Sequence, residues 1–379
     1  MKKSLKIVVL TEVINFHSGS RAPLEIARHL SLLGQDVHVY AYDFMFDEEA
    51  YQSLVADNLK VTIIKKPTMP FIGKYFVSIK LFLLLKSSRF DIITFSASPP
   101  SFLAAKLTMV PIIRIYMGTQ FDAYLENKLP SQKPNFFEML TNKITNIYIY
   151  VIEYITLYLS SEIVAISQYC AKDGESLYHK KISYVIYLGT TFFKPSSDRK
   201  SRKIINLISV SRITPYKGFH RIVESLNLLK LNNVKLTIVG SQPKPRYVKY
   251  LKKIGGKKLR VVINPSDNEL AKYYQKSDIY VNADKYLFFG LPICEAGYIG
   301  IPSISFDYAA AREVIDHGKS GYVARNETEF AYYLEKLIDN EKLREKFGRN
   351  AKKIILEKFT WENTAKEYLE LFKKMIHNA

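Results

Sequence analysis

Arg212 and Lys217 stand five residues apart in SVSRITPYKGFHRIVESLNLL, residues 209–229, on a Pro-containing loop between a strand pattern and a helix pattern. Such a loop delivers two cations and a helix N-terminus to one place, which is what a diphosphate needs. The same two residues would also serve as plain solvent-facing cations at a strand end. Gly218 beside them permits close backbone approach to a ligand, or simply relieves a turn. The second chemical feature is Glu295, set in LPICEAGYIGIP. A carboxylate in so apolar a run is costly to bury unless it is hydrogen-bonded. It either accepts backbone N–H groups in the first turn of a helix, or points from the helix start into a ligand cleft and accepts from ligand hydroxyls. Glu313, just after Arg312, reads as a further polar contact or as an ordinary acid near a helix start.

These residues need strands and helices to hold them, and the pattern supplies both. In the second half, strands are expected at 204–210, at 234–239 (ending at Gly240), and at 259–263, 278–281 and 302–306. Helices are expected at 216–230, 246–253, 268–275 and from 293. Three more, at 327–339, 341–357 and 362–377, close the chain, the last following FTW with Trp361 as its anchor. The first half opens with SLKIVVL, a loop holding Gly19 and Ser20, a helix from about Pro23, a capping Gly34 and a strand at 37–40. Strand, glycine loop, helix, strand is a βαβ unit and predicts a parallel sheet with helices on both faces. A loop at the carboxyl end of the first strand is where open α/β sheets bind ligands, although Gly19 also suits a plain turn. Further strands are expected at 59–64, 91–96, 112–116, 162–166 and 183–187. Helices fit 71–85, 102–108 and the second half of 120–160. The strand at 112–116 runs into MGTQFD, a small loop holding Gly118 at the same end of the sheet.

The chain has 379 residues, too many for one ordinary core, so two domains are expected. The polar KPSSDRKSR, residues 194–202, marks the hinge. The division is then 1–194, 201–360 and 361–379, the last a helix crossing back to the first. Two cysteines without metal spacing point to a reducing, cytoplasmic setting and no disulfide framework. The basic opening MKKSLKIVVLTEV reads as a first strand more than as a signal peptide, and 144–159 is short for a span. The net charge of +19 is spread along the chain as scattered lysine. Without an arginine-rich recognition element or zinc spacing, nucleic acid is the weaker reading. Attraction to phosphate or to an anionic membrane surface is the stronger. The helix at 71–85, with lysines at 74, 80 and 86, is either a core-packed outer helix or a basic amphipathic face against lipid.

In order along the chain, these motifs resemble the retaining glycosyltransferases of GT-B architecture, family 4 type (glycosyl transferases group 1). SRITPYKG looks like the segment whose Arg and Lys neutralise the donor diphosphate. FGLPICEAGYIGIPSIS looks like the signature whose Glu, here Glu295, binds the ribose of a nucleotide sugar. SGSRAPLEIARHLSLLGQDVHVY, IVAISQYCAKDG and residues 311–323 continue the likeness, which covers nearly the whole chain. It implies two Rossmann-like doubly wound α/β domains facing each other across a cleft. It also implies transfer, with retention, from a nucleotide-diphosphate sugar (UDP- or GDP-sugar) to a glycan or lipid-linked acceptor, a hexosyltransferase-like activity. Arg212, Lys217 and Glu295 would be the catalytic residues. Gly19, Ser20, Gly118, Gly240, Leu291 and Glu313 would join them at the donor. No Asp-x-Asp occurs, so no metal is expected. A cytoplasmic enzyme, peripheral at the inner membrane face, fits the lysines and the apolar helices.

Three departures bear on activity. Leu287 stands eight places before Glu295, where relatives usually have a Glu touching the donor sugar or its phosphate. Met117-Gly118 stands where they commonly have His-Gly, and Leu188-Gly189 where they often have Asn-Gly. Thr119, Gln120 or Asp122 could supply replacement contacts. The rival readings are a catalytically inactive sugar- or nucleotide-binding relative, and another two-domain diphosphate-using enzyme such as a sugar phosphorylase or epimerase.

Overall fold

The structure, a computed structural model, describes residues 4–14, 21–42, 47–56, 59–65, 73–96, 99–121, 125, 128–190, 203–229, 231 and 233–377. Gly19, Ser20 and Asp122 lie outside these residues. By contacts the chain divides into two units. One is Met1–Thr119, Ile147–Gly189 and Trp361–Ala379; the other is Gln120–Asn146 and Thr190–Thr360.

The first unit is built on seven parallel strands: β1 (Lys6–Thr11), β2 (Asp36–Tyr42), β3 (Lys60–Ile64), β4 (Ile92–Ser96), β5 (Ile112–Tyr116), β6 (Glu162–Ala165) and β7 (Tyr184–Val185). Their order is β3-β2-β1-β4-β5-β6-β7. Helices on both faces bury such strands completely, so they read as unbroken apolar runs instead of alternating ones. β1, KIVVLT, and β5, IIRIY, do so. Arg114 is the exception inside β5. Its guanidinium donates to both Glu153 carboxylate oxygens, at 3.0 and 3.1 Å, and to the Ile115 carbonyl at 3.0 Å. Val8, Leu10, Ile93, Phe95 and Phe102 form the core between sheet and helices.

The second unit repeats the plan with β8 (Ile205–Val210), β9 (Val234–Gly240), β10 (Leu259–Ile263), β11 (Ile279–Asn282), β12 (Ser303–Phe306) and β13 (Gly321–Ala324). The order β10-β9-β8-β11-β12-β13 is again all parallel. Chain order reverses at β8, which pairs with β9 on one side and β11 on the other. That is a topological switch point, and the carboxyl ends of the strands flanking it are where such sheets take ligands. Leu207, Ile222, Leu236, Ile279 and Phe330 centre the core.

Several elements differ from the sequence expectation, and β13 and the short helix Ala311–Val314 were not expected at all. A helix over Glu48–Ala56, in a stretch with no clear period, joins β2 to β3. The helix of the 120–160 segment begins at Phe136 and runs to Leu159. Its start is marked by a reciprocal cap: Glu138 N donates to Asn135 Oδ1 at 2.9 Å and Asn135 N to Glu138 Oε2 at 2.7 Å. That Asn-x-x-Glu signal stands in the sequence. The expected helix at 216–230 is two pieces, a 3₁₀ turn at Pro215–Lys217 and an α-helix at Phe219–Leu228, parted by Gly218 at φ 72°.

The closing helix, Trp361–His377, packs in the first unit against the helix Arg21–Leu32. Its entry explains Gly189: a Cβ there would stand 2.1 Å from the Trp361 backbone nitrogen. Thr364 Oγ1 then donates to the Tyr187 carbonyl at 2.8 Å.

Candidate functional site

Arg212 and Lys217 lie on the loop that leaves β8 at the switch point. Three contacts fix that loop. Ile213 N donates to the Ser241 carbonyl at 2.9 Å and Lys244 N to the Ile213 carbonyl at 3.0 Å, which joins it to the loop after β9. On the other side, a Cβ on Gly218 would lie 2.4 Å from the Ala283 carbonyl oxygen, just past β11. Glycine is required there twice over, by its positive φ and by that approach. Gly240 is a packing glycine in the same sense, since a Cβ would meet the Ser211 carbonyl at 1.7 Å.

The two cations have different surroundings. Arg212 is half-buried, its guanidinium 5.6 Å from the Tyr216 ring centroid. Among the described residues no carboxylate pairs with it. It lines a polar pocket of about 280 Å³ with Thr214, Tyr216, Gln242, Pro243 and Lys244. Lys217 is nearly buried, and its Nζ donates to Asp284, which is nearly buried too. Burial pushes the Lys217 ammonium below the usual lysine range, Asp284 pulls it back up, and Arg212 adds to the lowering. Asp284 is also held from its own loop, its Oδ1 accepting from Tyr286 N at 3.0 Å. The Tyr286 hydroxyl in turn donates to the Phe121 carbonyl at 2.7 Å.

Glu295 sits one turn into the helix Leu291–Ile299, whose N-cap is Gly290 at φ 109°. Its carboxylate is buried, and Oε2 accepts from the Tyr274 hydroxyl at 2.8 Å. That hydroxyl also reaches the Pro292 carbonyl at 3.3 Å. Burial, with Glu295 adjoining, drives the Cys294 thiol well up, which keeps it an inert apolar neighbour. Leu291 is the first residue of this helix. Leu287 is buried, and its carbonyl accepts from Ala310 N at 3.0 Å. This ties the loop after β11 to the one after β12, where half-buried Glu313 lies in the short helix Ala311–Val314. Arg312 beside it is spent on Asp307, at 2.9 and 2.7 Å.

In the first unit, Gly118 follows β5 at φ 86°. Thr119 Oγ1 bridges the hydroxyls of Tyr116 and Tyr178 at 3.1 and 2.9 Å. Among the described residues, no three His, Cys, Asp or Glu side chains gather as metal ligands, and no helix is long and apolar enough to cross a membrane.

So Arg212, Lys217, Gly218, Gly240, Leu291, Glu295 and Glu313 all follow β8, β9, β11 or β12 at the carboxyl edge of one sheet. Asp284 and Tyr274 are the residues that sequence reasoning passed over. Asp284 had a signal, since it stands two places past β11 and so must meet the loop leaving β8.

Residues 191–354 match the family model for glycosyl transferases group 1. Those residues, under half of the chain, are similar to that family. The chain is 31% identical over 191 residues to a probable sucrose-phosphate synthase of Thermosipho melanesiensis, covering 48% of this chain and 44% of the synthase. The chain thus spans under half the length of that relative. An uncharacterized glycosyltransferase of Methanocaldococcus jannaschii is 27% identical over 387 residues, covering 93% of this chain and 94% of its own. Among solved structures, the sucrose-phosphate synthase of Thermosynechococcus elongatus matches with a TM-score of 0.77 at 13% identity, over 99% of this chain and all 100% of its own. Anabaena HepE in complex with UDP and glucose gives 0.74 at 16%, over 98% and 100%. The fold is therefore the one found in GT-B glycosyltransferases, two Rossmann-like units with parallel sheets.

Proposed function

We propose that this protein transfers a sugar from a nucleotide-diphosphate donor, with retention at the anomeric carbon, to a glycan or lipid-linked acceptor in the cytoplasm. The observation that carries the reading is the polar pocket between the loops after β8 and β9, with Arg212 on its wall and Lys217 on the same loop as Arg212. The HepE structure, which holds UDP and glucose on the same fold, supports a UDP-sugar as donor.

Breaking the anomeric bond builds negative charge on the leaving diphosphate. Among the described residues, no carboxylate competes with that charge for Arg212. Lys217 shares its ammonium with Asp284, and the helix Phe219–Leu228 adds the positive end of its dipole. Glu295, steadied by Tyr274, accepts from the ribose hydroxyls. Glu313 and the N-terminal turn at Leu291 complete the donor side. These cations carry the diphosphate without calling on a metal. With retention, the leaving phosphate takes the acceptor's proton on the same face, so no protein nucleophile is required. Leu287 removes one acid from the sugar's surroundings. A missing charge-assisted bond costs about 1.5–3 kcal/mol, roughly tenfold to hundredfold in rate, which redirects donor preference before it ends catalysis.

The test is calorimetry with UDP, GDP, UDP-glucose and GDP-mannose, followed by donor-dependent transfer with the Arg212→Ala, Lys217→Ala double variant. Binding of one nucleotide series, and loss of both binding and transfer in the variant, is expected. If no nucleoside diphosphate or nucleotide sugar binds, the reading fails. Binding without turnover of any donor would leave the inactive-relative reading, which Leu287 and Met117 favour.

A further inference from the structure

The helix Phe136–Leu159 carries its apolar side outward. In the first unit Ile147, Tyr148, Val151 and Ile155 recur at steps of three and four, so they form one stripe. They are 55%, 64%, 46% and 46% exposed. Upstream on the same helix Phe137 and Ile144 extend the stripe. The inward side carries Leu157 together with polar Thr156 and Glu153, the latter tied to Arg114. A helix that faces water is arranged the other way round.

The exposure continues on two neighbours. Phe76, Ile79 and Leu83 stand outward on the helix Gly73–Lys86, and Leu107 and Met109 just past the helix Pro99–Lys106. Lys106 Nζ donates to the Leu159 carbonyl at 2.8 Å, so this second patch meets the end of the long helix.

Charge around these faces has one sign. The helices Gly73–Lys86 and Pro99–Lys106 contain no acid. The long helix contains Glu138 and Glu153, both engaged, with Lys128 and Arg114. Lys80, Lys86, Arg89 and Lys143 are exposed.

We propose that this surface seats the protein on a lipid bilayer bearing anionic headgroups. The apolar stripe enters the headgroup boundary, the tyrosine phenols stay at its polar level, and the lysines meet the anionic lipid. A second copy of the chain fits less well, because two molecules of net charge +19 would be brought face to face. None of these side chains belongs to the proposed donor site, so the inference stands whatever the reaction.

Flotation of the full chain with vesicles of phosphatidylcholine, with and without 30 mol% phosphatidylglycerol, tests it. Binding to the anionic vesicles is expected, falling about tenfold between low and high salt as the lysines are screened. Replacing Ile147, Tyr148, Val151 and Ile155 together by Ser should weaken partitioning more than about tenfold, with the circular dichroism spectrum unchanged. A Lys80→Glu, Lys86→Glu variant, which leaves the long helix untouched, should lose the preference for phosphatidylglycerol and covers the case in which the fourfold variant misfolds. Failure to float on either vesicle would overturn the proposal. So would a dimer in sedimentation velocity that the Ser replacements dissolve while vesicle binding persists.

Discussion

Asp284→Asn separates the two things Lys217 is asked to do. Asn keeps the size of Asp284 and one acceptor oxygen, enough for the Tyr286 amide, while its NH2 replaces the oxygen that meets the Lys217 ammonium, so the change removes the negative charge and the Lys217 bond together. Both partners are nearly buried, and breaking a buried pair from one side costs about 3–5 kcal/mol. The surviving Tyr286 contact holds the cost near the lower end, about 3 kcal/mol. For a unit of this size that is a fall of about 6–12 °C in Tm. The pH dependence follows from the direction of the Lys217 shift. Its folded-state pKa lies below 10.5, so the native state binds fewer protons than the unfolded chain in the window between the two values. Stability is penalised below the folded pKa and recovers as pH rises through that window. Asp284 is the group that pulls the ammonium back up, so the Asn variant titrates lower and recovers earlier. The stability gap between wild type and variant should therefore shrink from pH 7 to pH 9.5.

Ligand binding should move the other way. In the wild type a diphosphate competes with Asp284 for the same ammonium and is repelled by its carboxylate. Freeing one charge-assisted bond should tighten UDP about tenfold at pH 7 in calorimetry. Lys217→Met leaves Asp284 unpaired beside the phosphates and should weaken UDP about a hundredfold, and the double variant should recover part of that loss. A coupling of about 1–3 kcal/mol between the two substitutions is the signature. If Asp284→Asn melts like wild type, binds UDP no better, and adds simply to Lys217→Met, the pair carries no energy and the account of the site is wrong.

Two further outcomes follow from groups away from the pocket. Glu153→Ala strands the Arg114 guanidinium inside β5 and should cost about 3 kcal/mol in urea unfolding, with Glu153→Gln milder because it keeps one of the two acceptor oxygens. His220 is held down to about 4, mainly by burial and then by Arg221, below its ordinary 6.5. The native state thus binds fewer protons than the unfolded chain between those values. Stability should fall by about 3 kcal/mol as pH drops from 6.5 to 4, and His220→Gln should flatten that limb of a pH–Tm profile.

The sheet was legible because parallel strands covered on both faces leave a signal no loop imitates: SLKIVVL and the run around Ile279 read as strands at once. Glu48–Ala56 was not, because EEAYQSLVA is short and its apolar residues mark no single face. The helix Phe136–Leu159 was read over its second part, and its first turns were missed for a more telling reason. Its apolar residues point outward, so a rule that assigns them to a core finds no partner for them, and only the Asn135–Glu138 cap marks the start.

The donor site shows the same divide between local and distant chemistry. Two cations and a glycine two to eight residues past a strand can be read from one loop. The carboxylate that takes half of that charge is 67 residues away and looks like any acid after any strand. Only the strand order makes it predictable. Because β8 and β11 are neighbours across the switch point, whatever follows each must share the same few ångströms, and the charge offered to a ligand there is their sum. Summed that way, Asp284 offsets Lys217, and Arg212, with Lys244 beside it, faces the pocket without a carboxylate partner among the described residues. Arg212→Lys should then be poorly tolerated, since it trades a planar fork for a point charge of the kind Lys244 already supplies.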